Sequence, residues 1–350
     1  MRSRSVKFFV LLIALLMLVS LTAPAVTQAQ TGGLLAKVRE RGMIVCGVNP
    51  QIPGFGFLDT ADNTFKGFDP DFCRVLAAAV FGDSSKIEFR PIAAAADRFP
   101  ALASGDIDVL IRNTTFTYGR DTKEGADFGP TTYYDGSRIM VRTADNVTKL
   151  EDMAGFQICA IKGTTSEQTI SEEMAAVNTD FTLATFDNID QVIENFDAGS
   201  CDAVTSDGSQ LAGKRSAAAN GKDWTILDMV LTKEPLSPAW KAGDSEWGDF
   251  VRWAVYATIM LEEKGVTTEN VDKVVANSTD PETRRLLGLE GELHLNLGLD
   301  AKWAYNIAKQ VGNYGEIFER NLGSGSPLGL DRGLNKLWSQ GGLLYAPPYR

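Results

Sequence analysis

The chain of 350 residues has a single histidine, His294, set between Leu293 and Leu295 without a companion. That scarcity leaves no visible Ser-His or Cys-His nucleophile arrangement and no histidine metal cluster, so packing is the reading for His294. Cysteine is scarce as well. Cys46, Cys73, Cys159 and Cys201 form no Cys-x-x-Cys pair, which argues against a zinc ribbon or a thioredoxin-type site. Basic residues are in deficit: 34 Lys and Arg stand against 45 Asp and Glu, a formal net charge of −11. An acidic body repels phosphate backbones and anionic lipid, so neither nucleic acid nor a membrane surface is expected as a partner. Past the N-terminal segment there is no apolar run long enough to span a bilayer, no repeat at solenoid period and no low-complexity linker. The hydrophobic fraction of 44% and charged fraction of 23% are ordinary for a globular chain. No cofactor is expected.

The N-terminal segment reads as a leader. Arg2, Arg4 and Lys7 make a positive start, Phe8 to Leu21 is apolar, and small residues follow in Ala23-Pro24-Ala25 and Thr27-Gln28-Ala29. Charge, length and cleavage chemistry match a secretory signal peptide, residues 1–29, with cleavage after Ala29 preferred and Ala25 the alternative site. The apolar run falls short of the ~20 residues that a spanning helix needs. The first cysteine, Cys46, lies well inside the folded region, so no lipid anchor is expected and the mature chain is placed in a periplasm. That compartment permits disulfides.

After the leader, strand and helix patterns alternate twice. In the first half, a helix over Leu34–Arg41 is followed by a strand over Met43–Val48 and a Gly- and Pro-rich loop over Asn49–Phe57. Next come a helix over Pro70–Phe81, a strand over Lys86–Pro91, a helix over Arg98–Ser104 and a strand over Asp108–Ile111. The second half repeats the order, with strands at Gln157–Ile161, Phe181–Phe186 and Cys201–Thr205 and helices at Ser166–Ala176 and Ile189–Ala198. This alternation predicts an α/β protein of two lobes, each a mostly parallel sheet flanked by helices. Tyr133–Arg142 is expected to cross between the lobes and Thr225–Lys233 to cross back. Lobe 1 then comprises 30–140 and 230–350, lobe 2 comprises 141–229, and the chain from Pro235 onward is a helical extension packed on lobe 1.

In open α/β sheets, binding groups converge at the carboxyl ends of the strands. Polar residues stand there in two places. Arg112 to Arg120 follows the strand ending at Ile111: Arg120 offers a planar fork of donors, Thr115 a hydroxyl and Asn113 its backbone. Read locally, this loop is equally an N-cap cluster with a surface arginine. Gly163-Thr164-Thr165-Ser166-Glu167 fits a capping box whose free N–H groups suit a carboxylate, although a plain helix start has the same pattern. Asp207 lies just past a strand, where it can accept from an ammonium or simply cap the helix near Gln210. Its competitor Asp202 sits at the strand's start and so at the opposite edge.

Longer motifs carry a resemblance. They are Gly67 to Arg74, Arg112 to Thr117, Tyr133-Tyr134-Asp135-Gly136, Gly312 to Phe318 and Gly341 to Pro348. From about Leu34 to the C-terminus the chain resembles the general L-amino-acid binding proteins of polar-amino-acid ABC importers, in solute-binding protein family 3. It departs from their pattern at Pro70 and at Ile111-Arg112. The resemblance implies the two-lobed type II periplasmic binding-protein fold with two hinge strands. It also implies a non-catalytic protein that captures free L-amino acids in the inter-lobe cleft and delivers them, as a monomer, to a membrane permease. By motif position, Thr115, Arg120 and Thr164 look like carboxylate ligands, Asp207 like the ammonium ligand, and Phe55 like an aromatic wall of the side-chain pocket. With no charged side chain placed in that pocket, several neutral and polar amino acids are expected to bind. Two rival readings are an exported dehydratase-like enzyme on the same fold, which would need a cleft carboxylate as acid or base, and a sensor that presents ligand to a receptor.

If the strands before Thr164 and Asp207 end at the same cleft, Cys159 and Cys201 sit at similar depth on neighbouring parallel strands. Such strands lie ~4.8 Å apart, within disulfide reach. A Cys159–Cys201 bridge leaves Cys46 with Cys73. Four cysteines allow three connectivities, and four buried thiols are the alternative.

Overall fold

A computed structural model describes residues 32–350. The expected leader, 1–29, lies outside the described residues. Helix α1 (Leu34–Arg41) stops where Gly42 takes a left-handed φ of 77°, and the chain enters β1 (Ile44–Val48), buried at every position. A strand buried on both faces belongs to a sheet covered by helices on both sides. The stretch Asn49–Phe57, expected to be loop, is partly paired. Gln51 and Ile52 of β2 (Gln51–Ile52) face Phe57 and Gly56 of β3 (Gly56–Asp59), and β4 (Thr64–Lys66) completes a small antiparallel sheet. Pro53 and Gly54 make its turn, which is why the composition reads as loop.

The first lobe continues with α2 (Phe68–Phe81), β5 (Ile87–Pro91), α3 (Arg98–Ser104), β6 (Val109–Leu110), α4 (Tyr118–Lys123) and β7 (Ala126–Phe128). Strand β8 (Tyr133–Arg142) carries the chain into the second lobe. There β9 (Gln157–Ile161), α5 (Thr165–Ala176), β10 (Thr182–Phe186), α6 (Ile189–Asp197), β11 (Ala203–Asp207), α7 (Gly208–Ala217) and β12 (Trp224–Ile226) follow. The return strand is β13 (Thr232–Leu236), at the end of the stretch expected to cross, and β14 (Ala239–Lys241) re-enters the first sheet. Helices α8 (Ser245–Glu263), α9 (Val271–Asn277), α10 (Pro281–Leu286), α11 (Trp303–Gln310) and α12 (Tyr314–Asn321) follow. The long α8 packs on α1, α2, α11 and α12.

The first sheet has the order β5-β1-β6-β14-β7 and the second β10-β9-β11-β8-β12, with β13 also on β8. Strands β5, β1 and β6 are parallel, as are β10, β9 and β11, while β14 and β8 run antiparallel to their neighbours. Each lobe is thus a parallel three-stranded core with antiparallel strands beside it. β8 is the shared element. Its first half, Tyr133–Ser137, pairs with β13, and its last residues, Met140–Arg142, pair with β12.

Aromatic rings hold the first lobe to the C-terminal helices. Phe55, Phe68, Phe72, Tyr133, Tyr314 and Phe318 are all buried, with ring centroids 5.0 to 6.5 Å apart. Full burial of one such side chain contributes ~1.5–3 kcal/mol. The last residues run back over the hinge: the Asn335 amide accepts from Tyr134 N at 2.6 Å and donates to Tyr134 O at 3.2 Å. Two disulfides tie helix to strand and strand to turn. Cys46–Cys73 joins β1 to α2, and Cys159–Cys201 joins β9 to the segment before β11, with Cα separations of 6.2 and 5.9 Å.

Candidate functional site

The carboxyl ends of β6, β9 and β11 meet at one cleft. It is lined by Arg98, Arg112, Asn113, Thr115 and Arg120 from the first lobe and by Thr164, Thr165, Ser166, Asp207 and Gln210 from the second. The strand-end rule therefore places five of the six expected ligand residues together. Phe55 does not join them. It is 1% exposed, edge-on to Tyr133 at 5.0 Å, inside the first lobe's core. An unhydrated phenyl ring gains more from that aromatic cluster than from a polar cleft.

Beyond β6 the chain is held by a buried acid. Asn113 sits in the left-handed region at φ 30°, and its N–H donates to Asp69 Oδ2 at 2.9 Å. Burial pushes the Asp69 carboxyl up to about 7, against the pull of that N–H and of the Arg112 guanidinium. The Asn113 side chain crosses the cleft: Nδ2 donates to Asp207 Oδ2 at 3.0 Å, while Oδ1 has no partner among the described residues. Arg112 is anchored by Nε on Ile92 O (2.6 Å) and Nη2 on Ala93 O (2.8 Å). Arg120 donates from Nη1 to Thr115 O at 2.9 Å, and its helix is capped by Thr117, which accepts from Arg120 N. Burial lowers the Arg120 pKa, and Asp207, Glu234 and Glu124 oppose that shift.

Helix α5 starts at the cleft. Thr164 accepts from Glu167 N at 3.2 Å, but Glu167 reaches back to Gly163 N (2.6 Å) rather than to Thr164 N, so the expected capping box is shifted by one residue. The Thr164 hydroxyl proton goes to Ile161 O at 2.7 Å. What the helix offers an anion is therefore its first-turn N–H groups and the positive end of its dipole. Asp207 ends β11 and precedes α7 without capping it by its side chain. It is 6% exposed, and its carboxyl is pushed up to about 8 by burial, by Glu234 and by Asp135, with Asn113 and Arg98 opposing. Asp202, at the far edge, accepts from Gln157 N at 2.8 Å and takes no part in the cleft.

The arrangement places guanidinium groups on one wall and a helix start and a carboxylate on the other. It is complementary to a small molecule that carries both charges. The sequence profile of the bacterial extracellular solute-binding proteins, family 3, matches residues 44–258. The chain belongs to that family. The general L-amino acid-binding periplasmic protein AapJ of Rhizobium johnstonii is 45% identical over 92% of this chain and 94% of its own length. The glutamate/glutamine/aspartate/asparagine-binding protein BztA of Rhodobacter capsulatus is 42% identical over 94% of this chain and 96% of its own. A periplasmic binding protein of an ABC transporter from Brucella ovis, solved with glutathione bound, superposes with a TM-score of 0.88 at 42% identity, covering 91% of this chain and all of that one. The shared architecture is that of type II periplasmic binding proteins.

Three residues in or behind the cleft of this solute-binding protein were not foreseen. Glu234, on β13, is 1% exposed and accepts hydroxyl protons from Thr115, from Thr165 (2.9 Å) and from Thr232 (2.7 Å), so it ties both lobes to the return strand. Thr115, expected to donate to a carboxylate, spends its proton on Glu234 and offers lone pairs instead. Arg98 and Gln210 are 4% and 2% exposed, and Arg98 Nε and Gln210 Nε2 have no partner among the described residues. Arg98 thus adds a third guanidinium to the cleft beside Arg112 and Arg120. The signal for Arg98 was its place: a cation at the first turn of α3 stands at the unfavourable end of the helix dipole. No group of residues that could hold a metal ion occurs among the described residues.

Proposed function

We propose that this solute-binding protein captures free L-amino acids outside the cytoplasm and delivers them to the permease of an ABC importer. The observation that carries the reading is that Arg120 from the first lobe meets the α5 N-terminus and Asp207 from the second in one buried cleft. The α-carboxylate is read by the Arg120 fork and by the first N–H groups of α5. The α-ammonium is read by Asp207, with lone pairs from Thr115 Oγ1 and Asn113 Oδ1. Because the two lobes contact the same ligand, binding favours their closed arrangement, and it does so only by the difference in affinity between closed and open forms. Lobe 1 is residues 30–140 and 230–350, lobe 2 is 141–229, and β8 and β13 are the hinge. The leader 1–29 is removed on export to the periplasm, the mature chain acts as a monomer, and it performs no chemistry on its ligand. The names of AapJ and BztA support the ligand class.

Calorimetry with free L-amino acids and their D-enantiomers tests the reading. L-forms should bind at micromolar Kd or tighter, about −8 kcal/mol or better. D-forms should bind worse, since inversion at Cα moves the side chain out of its pocket while the α-groups stay fixed. The ligand should be recovered chemically unchanged, and small-angle scattering should show a smaller radius of gyration with ligand. Binding of sugars or metals alone, or conversion of the amino acid, refutes the reading.

A further inference from the structure

The family profile ends at residue 258, and the segment 320–335 beyond it is fastened to the first lobe and the hinge. Arg320 and Asn321 donate to Asp71 of α2 at 2.8 and 2.7 Å, and Asn335 holds both the N–H and the carbonyl of Tyr134 on β8. Leu328 lies against the β2–β3 turn, where a Cβ on Gly54 would come within 2.8 Å of it. Among the described residues no hydrogen bond joins this segment to lobe 2. A cavity of about 460 Å³ separates them instead. Its floor is β8, one wall is Gly208, Ala212 and Ile226 of lobe 2, and the other is Leu330 and Asn335. A second cavity of about 500 Å³ continues past Ala212 and Ile226 to Pro327.

Helix α7 stands between this cavity and the cleft. Gln210 lines the cleft, Lys214 Nζ donates across the lobes to Gln51 O at 3.3 Å, and a methyl group on Gly213 would sit 2.5 Å from Pro53 O. That face of α7 is pressed on lobe 1. At 3.6 residues per turn, Ala212 lies about 160° round the axis from Gln210 and about 200° from Lys214, on the opposite face. A rotation about β8 and β13 that lifts Gln210 and Gly213 off lobe 1 carries the Ala212 face toward Leu330. We propose that Leu330–Asn335 is the stop for that rotation: α7 swings until Ala212 and Ile226 meet Leu330, and the C-terminal segment thereby sets how wide the cleft opens. The proposal rests on the lobe-closure reading given above. Contact of these apolar side chains buries in the open form what the closed form leaves to water, which favours opening until a ligand outweighs it.

Disulfide trapping tests it. All four native cysteines are bridged, so the double substitution Ala212→Cys with Leu330→Cys adds the only free thiols. They can join only when their Cα atoms come within about 7 Å. Oxidation to the cross-link should be fast without ligand and severalfold slower with saturating L-glutamine. An equal rate, a faster rate with L-glutamine, or no cross-link in either state overturns the stop. Ala212→Trp keeps the test open if the cysteine pair does not fold. Its indole occupies the cavity, so the ligand-free radius of gyration should be smaller than that of the wild type. L-glutamine should then bind more tightly, by about tenfold where the closed form holds ~10% of the ligand-free wild type. A radius and an affinity equal to the wild type's in that variant also overturn the stop. A wild-type radius that shrinks with L-glutamine while trapping ignores the ligand removes the stop alone. A wild-type radius that stays constant on binding removes lobe closure and the stop together.

Discussion

Binding of an α-amino acid should release a proton from Asp207, and affinity should therefore depend on pH. In the cleft the Asp207 carboxyl is pushed up to about 8, chiefly by burial and then by the Glu234 and Asp135 charges. A ligand ammonium placed against it favours the ionised form and lowers that pKa. The complex then holds fewer protons than the free protein, so affinity rises with pH through the window between the ordinary carboxylate range and about 8. Within that window each pH unit is worth about 1.4 kcal/mol, a tenfold gain, and above it the dependence flattens. Asp207→Asn abolishes most of the slope. At pH 8 it also removes a charge-assisted bond of about 2–3 kcal/mol, weakening leucine roughly thirty- to hundredfold. The desamino analogue of leucine brings no ammonium and should be indifferent to the substitution. The assay is calorimetry at several pH values in buffers of different ionisation enthalpy, which counts released protons directly. A flat wild-type profile with no proton release refutes the reasoning, and so does an equal loss for leucine and its desamino analogue.

Arg120→Lys should weaken amino-acid binding about ten- to hundredfold with an unchanged circular-dichroism spectrum, because the planar fork is lost while the charge is kept; unchanged calorimetric affinity counts against the assignment. Without ligand, thermal stability should fall as pH rises from about 5 to 8. The buried Asp69, Asp135 and Asp207 carboxyls hold protons in the folded state to about 7, 6 and 8, well beyond their unfolded range, so the unfolded chain binds fewer protons there; a melting temperature that rises over this range contradicts the burial of these groups. The double substitution Cys159→Ser with Cys201→Ser opens a loop of sequence separation 42 and should cost about 2–4 kcal/mol in urea unfolding; thiol titration of the denatured, unreduced wild type should find no free thiol.

The alternation of strand and helix was legible because the parallel strands are short, largely apolar runs bounded by turn residues, as in Ile44–Val48 and Gln157–Ile161. The strand ends then located Asn113, Thr115, Arg120, Thr164 and Asp207 without any knowledge of contacts. Glu234 was not legible. Thr-Lys-Glu-Pro-Leu reads as an exposed edge, and only the crossing of β13 over β8 buries the glutamate between two lobes. Direction of donation was also hidden, since a threonine hydroxyl shows in sequence only as present; the structure gives Thr115's proton to Glu234 and Thr164's to Ile161 O. The expected disulfide partners meet, but not at equal depth. The register sets Cys159 opposite Val204, so Cys201 reaches it from the turn before β11. Counting residues back from Thr164 and Asp207 assumed that both strands run equally far to the cleft, and they do not.

Strand β14 enters the first sheet between β6 and β7, although β6 and β7 precede the whole second lobe in the chain and β14 follows it. During folding, the earlier strands wait with a gap that only residues 239–241 can fill. The second lobe needs no such delay, because β8 to β12 are consecutive and can collapse as a local unit. By doing so it shortens the effective loop that β14 must close and lowers the entropy of that closure. The ligand-binding lobe with the continuous sequence is thereby the natural early folding unit, and the lobe that carries both ends of the described chain is completed last.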